Sequence, residues 1–289
     1  MLALPGRRTA QAGIEPIIWG AVATAWALAL MLAAGGHSSH LGHGLSLGVD
    51  IATLGKVLPV LAAWQVMTAG MMLPSSLPLV WLFARASRKQ AHPRLVLAVF
   101  LAAYFAVWTG FACAALVADS GIRALTSRWA WLDARPELVA GGVLLLAGAF
   151  QFSSLKERCL DACRNPMHFM WRFYGRGVSK AWSFGIHHGL FCLGCCWALM
   201  LIMFAVGVGQ LVVMALLTGL MTIEKTARHG RRLAPIAGVG LLLWGAVILA
   251  NPGWLPASLG VSDSRHSEHT VQTEQTTPPA DPTHEHHHV

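Results

Sequence analysis

Residues 187–203 read H-H-G-L-F-C-L-G-C-C-W-A-L-M-L-I-M. The stretch is apolar enough to lie in a bilayer, and its length suits a membrane helix. On a helix, residues three and four apart share a face, which aligns His188, Cys192, Cys195, Cys196, Met200 and Met203 in one stripe. Lipid does not require such a stripe. A thiophilic metal ion does.

The rest of the chain agrees with a membrane setting. It has 289 residues, 55% hydrophobic and 12% charged, against about 25% charged in average soluble chains. Mean hydropathy is +0.55. The expected fold is an all-α, polytopic transmembrane bundle of about seven spans, because each needs about 20 apolar residues. Those spans fall at 16–34, 55–84, 95–118, 137–152, 182–206, 210–223 and 233–250. The second is long enough to tilt or break. This divides the chain into an N-terminal tail at 1–15, a helical membrane domain at 16–250 and a C-terminal tail at 251–289. The first span reads as retained rather than as a cleaved leader, since it is long for a signal segment and lacks a clear cleavage site.

The net charge of +8 sits in short runs between apolar segments. That is a topology signal and not a nucleic-acid footprint. Arg7, Arg8, Arg85, Arg88, Lys89, Arg94, and the basic residues of 156–180 and 225–232 fall on one side of a seven-span arrangement. Few Lys or Arg remain for the other side. The bias predicts an inside N-terminus and an outside C-terminus in a bacterial inner (plasma) membrane.

The outer tail is polar and rich in Ser, Thr, Pro and His, so it is expected to be disordered. The first outer loop carries His37, His40 and His43. Histidine-rich tracts bind divalent or cupric ions loosely, and these are further metal candidates.

The second span carries Met67, Met71 and Met72 ahead of Pro74. Pro74 removes a backbone donor and its ring opposes the carbonyl of Gly70, which predicts a kink. Helices broken at mid-depth often line transporter sites. Counting along antiparallel spans places Met71 and Met72 level with Cys192, Cys195 and Cys196, and Met67 and Met200 further outward. Thiolate and thioether together select Cu(I). Zinc also accepts cysteine and histidine, although methionine suits it poorly.

The segment L-K-E-R-C-L-D-A-C-R-N-P, 155–166, puts Cys159 and Cys163 on one helical face at the inner rim. Nearby Lys156, Arg158 and Arg164 favour thiolate. A reducing cytosol argues for metal handover there rather than a structural disulfide. Glu224 ends the sixth span beside Lys225. It reads as a partner of Lys225 or Arg228, with an exit-site or proton role as the sharper alternative.

These residues resemble a bacterial family of unknown function described as predicted metal-binding integral membrane proteins, sometimes labelled copper chaperones. The resemblance rests on Met67 and Met71 to Ser75; on L-K-x2-C-L-x2-C-R-x-P from Leu155; on G-x2-C-x-G-C-C-W-x-L-M from Gly189; and on Glu224-Lys225. It covers roughly residues 64–232. Gly70 departs from it, since alanine is commoner there in the family. The resemblance implies membrane location and metal binding.

The resulting expectation is a metal-binding membrane protein that handles Cu(I) as chaperone, delivery factor or transporter. Its partners would be the lipid bilayer, the metal ion and a cytoplasmic or periplasmic metallochaperone, with no nucleic acid. The chain has no G-x4-G-K-[ST] loop, so any pumping must be gradient-coupled or partner-driven. The chain is not expected to be an enzyme. The alternatives are a transmembrane thiol–disulfide electron carrier and an assembly factor for a membrane metalloenzyme.

Overall fold

A computed structural model describes residues 7–34, 51–133, 135–206 and 210–251 of the chain. The outer-loop candidates His37, His40 and His43 and the C-terminal tail lie outside the described residues. Among the described residues every regular element is helical. The helices are α1 Arg7–Ala34, α2 Ile51–Ala86, α3 Pro93–Thr126, α4 Ala130–Asp133 and α5 Pro136–Phe150. They continue with α6 Ser154–Arg164, α7 Pro166–Phe173, α8 Val178–Val206, α9 Leu211–Thr226 and α10 Gly230–Ala250.

Four of these are long and apolar enough to cross a membrane: Val57–Lys89, Pro93–Thr126, Val178–Met203 and Gly230–Ala250. A fifth span arises if α5 and α6, bent by 64° at the intervening break, count as one. The seven spans expected from the sequence would also include a helix shorter than these. Helix α9 has 16 residues, about 24 Å at 1.5 Å per residue, short of a hydrocarbon core about 30 Å thick. Helix α1, at 28 residues, is not short in this sense.

Helix α2 carries its prolines without a break. It runs as one helix through Pro59, Pro74 and Pro78. Beside Pro74, the Ser75 hydroxyl donates to the carbonyl of Met72 at 3.0 Å. Hydroxyl side chains and packed neighbours can re-satisfy the backbone around a membrane proline, so proline alone does not dictate a break.

Helix α8 lies at the centre, packed on α3, α5, α6 and α9. Its contact with α3 is the most extensive in the bundle. Gly185 and Gly189, four residues apart on α8, make that contact possible. A Cβ on Gly185 would sit 2.6 Å from the Cβ of Ala103, and one on Gly189 would sit 2.9 Å from the Cβ of Val107. Small residues at this spacing let membrane helices approach closely. The same logic joins α5 to α10, where a Cβ on Gly148 would meet Leu242 at 2.9 Å. Gly185→Ala is therefore expected to cost about 1–3 kcal/mol, the usual range for overpacking. Thermal unfolding in detergent would show it as a lowered midpoint.

The interior divides in two. One half is aromatic: Phe83 stacks on Phe184 at 5.0 Å, and Phe100 and Phe169 meet Phe184 edge-on at 5.4 and 5.2 Å. The other half is built of sulfur, aliphatic and indole side chains, including Trp64 and Trp108. The chemistry lies in that second half.

Candidate functional site

Two long helices and one short one supply the sulfur. Met67, Met71 and Met72 come from α2, Cys192, Cys195, Cys196, Met200 and Met203 from α8, and Cys159 and Cys163 from α6. All except the half-buried Cys163 are buried, and all pack in or against one cluster. The stripe on α8 forms because its members recur every three or four residues and so face one way.

The helices meet at defined atoms. Cys196 Sγ lies 3.9 Å from Met72 Sδ. The hydroxyl of Tyr104, on α3, lies 3.2 Å from Cys192 Sγ. Cys195 and Cys196 turn their thiols back to the carbonyl of Cys192, at 3.0 and 2.9 Å. Cys163 of α6 neighbours Cys195 of α8. Cys159 reaches α8 at Gly194, where a Cβ would stand 2.6 Å from its sulfur. Glycine at 194 is what lets α6 bring its first cysteine against α8.

The two cysteines of α6 therefore do not form a separate rim site. The break after Phe150 turns α6 back against α8. The Ser153 hydroxyl caps α6 by accepting from the Lys156 amide at 3.1 Å. All six cysteines are free thiols.

Lys225 holds the centre of the site. Its ammonium donates to Ser75 Oγ at 3.2 Å and to Cys192 Sγ at 3.2 Å, and lies 3.8 Å from Met72 Sδ. An ammonium has three donors and no acceptor, and it has three acceptors here. A buried monovalent cation thus rests among one thiol, one thioether and one hydroxyl.

Glu224 does not pair with Lys225 or Arg228. Its carboxylate accepts from Lys156 Nζ at 2.7 Å, with both side chains only 2% exposed. Successive residues of a helix point about 100° apart, so Lys225 faces the sulfurs while Glu224 faces α6. Arg164 adds to this clamp by donating to the backbone carbonyls of Glu224 and of Ala227 at the end of α9. Such basic side chains satisfy orphan carbonyls at a helix C-terminus.

His188 is buried, stacked on Tyr104 at a centroid distance of 5.1 Å. Neither ring nitrogen has a hydrogen-bond partner among the described residues. Among the described residues, no group of three or more His, Cys, Asp or Glu side chains is disposed to hold a metal ion. Two thiols are turned toward a helix carbonyl, and the space between Cys192 and Met72 holds the Lys225 ammonium.

The sequence motifs pointed to the sulfurs but not to their neighbours. Ser75 and Tyr104 carry no spacing signal. Met214 and Met221 do: with Lys225 they lie seven and four residues apart, on one face of α9.

A family model described as copper chaperone, PpoB2, matches residues 61–248. The chain belongs to that copper chaperone family. The match covers α8 and most of α2, and all of α3, α5, α6 and α9. It supports a copper-related role for this copper chaperone family member. Its apolar helices are compatible with insertion in a membrane. Comparison with curated proteins and with solved structures finds no match for the chain.

Proposed function

We propose that this protein carries Cu(I) as cargo within the membrane, held by thiolate and thioether sulfur at the meeting of α2, α6 and α8. One observation carries the reading. Cys192, Cys196 and Met72, more than a hundred residues apart across the two helices, converge where a single buried positive charge already sits. A soft monovalent ion fits that setting, whereas hard cations need oxygen cages.

Cys192, Cys196, Met71 and Met72 hold the ion, with Met67 and Met200 outward of them. Cys195, Cys163 and Cys159 form the exit chain, since Cys163 is the half-exposed member. His188 stands one turn along α8 from Cys192 with both nitrogens available. Glu224 serves as a structural anchor. The outer histidines collect the ion. The Lys and Arg bias supports an inner-membrane chain with an inside N-terminus. Helix α1 and the short α9 then also cross the bilayer, α9 with local adaptation, and with α5 and α6 as one bent span this gives seven passes.

Metal analysis of detergent-purified protein expressed with copper, zinc or nickel tests the reading. Copper is expected at one or more equivalents, with sulfur as the scattering neighbour in X-ray absorption. Zinc bound through nitrogen and oxygen, or no metal, overturns it. The Cys163–Cys195 contact also suits thiol–disulfide exchange. Met72→Leu separates the two readings: Cu(I) affinity is expected to fall about tenfold or more, the scale of one lost ligand. Wild-type affinity together with an oxidisable cysteine pair would favour electron transfer.

A further inference from the structure

Seven of the chain's eleven methionines fall in a single buried cluster. Methionine fills irregular gaps in ordinary cores. Even so, leucine would serve most lipid-like interiors, and seven thioethers together exceed what gap-filling explains. Their placement is also ordered. Met72 touches Cys196 and the Lys225 ammonium. Met221 lies one turn before Lys225 on α9, and Met214 two turns before Met221, so both share the face that Lys225 turns toward the site. The tip of Met214 lies 3.4 Å from where a Cβ of Gly70 would be. Gly70 lies beside Met67 and Met71 on one stripe of α2. On α8, Met200 and Met203 continue the stripe of Cys196 away from the thiols.

We propose a second, thioether-only Cu(I) site formed by Met67, Met203 and Met214, at the end of the bundle where α8 finishes and α9 begins. This inference rests on the Cu(I) reading above and extends it to α9. Met71, Met200 and Met221 bridge from that site to Cys192 and Cys196. A second observation marks the same level: the Thr68 hydroxyl, next to Met67, is fully buried and has no hydrogen-bond partner among the described residues. Buried polar atoms rarely stand alone, and an orphan at a cluster of ligands calls for a guest. Neutral thioethers hold Cu(I) more weakly than thiolates do. An ion entering at Met67, Met203 and Met214 therefore passes down a gradient of affinity to the cysteines, with no energy source but binding. No bond other than metal–sulfur is made or broken, and copper stays Cu(I) throughout.

Titrating the full-length protein in detergent with Cu(I), under a reductant and against a chromophoric Cu(I) chelator, tests this. The wild type is expected to bind two ions, one tight and one weak. Cys192→Ser with Cys196→Ser removes the tight one and leaves the weak one, which thiol alkylation does not abolish. Met67→Leu, Met203→Leu and Met214→Leu combined remove the weak one and leave the tight one. Leucine conserves volume closely enough to preserve packing. Should the combined variant fold poorly, Met214→Leu alone is expected to weaken the second site about tenfold or more. A wild type that binds a single ion, or leucine variants that still bind two, overturns the second site while leaving the thiolate site standing. A wild type that binds no Cu(I) overturns both.

Discussion

Glu224→Ala is expected to destabilise the protein by about 3–5 kcal/mol, the cost of leaving one half of a buried ion pair uncompensated. The carboxylate and the Lys156 ammonium are 2.7 Å apart and nearly sealed from solvent. Taking away the carboxylate strands an ammonium between α6 and α9. Arg164 continues to hold the end of α9 through the backbone carbonyls, so separation of the helices is resisted but the stranded charge is not relieved. The pair can be removed together with far less loss. Lys156→Met with Glu224→Leu is expected to recover most of the stability, because apolar replacements of similar volume are often neutral at buried ion pairs. Thermal unfolding followed by tryptophan fluorescence would measure both. A single variant as stable as the wild type would mean that the pair is solvated or mobile in the bilayer.

Cys192→Ser is expected to lower Cu(I) affinity by about 100-fold or more, the scale of losing close to 3 kcal/mol of ligand free energy. Cys192 is the cysteine that Tyr104 and Lys225 both reach, at 3.2 Å each. Serine keeps both hydrogen bonds and nearly the same volume, so the fold should persist and the readout should report the sulfur. Cys113, exposed on α3, is the matching control, and Cys113→Ser is expected to leave affinity unchanged. Equal affinities in the two variants would remove Cys192 from the ligand set.

Much of this was legible in the chain itself. The helical class followed from long apolar runs with few charges, because backbone polar groups in lipid must be satisfied within the element. The sulfur stripe of α8 followed from a spacing of three and four, which geometry alone places on one face. The short span was harder. Helix α9 has the composition of a membrane segment without the length, and sequence windows weigh composition first. The continuity of α2 was also hidden, since a membrane proline breaks or spares a helix according to the packing around it.

Composition and periodicity by themselves settled the helical class and which sulfurs share each helical face. Only the tertiary structure decided which faces meet. The bend after Phe150 brought Cys163 to Cys195, and a rotation of one residue along α9 sent Glu224 to Lys156 and Lys225 to Cys192 and Met72. The physical reason is that a face is a local property, set by 3.6 residues per turn. Its partner is chosen by packing between segments far apart in the chain, where a glycine such as Gly194 admits a neighbour that any larger residue would exclude.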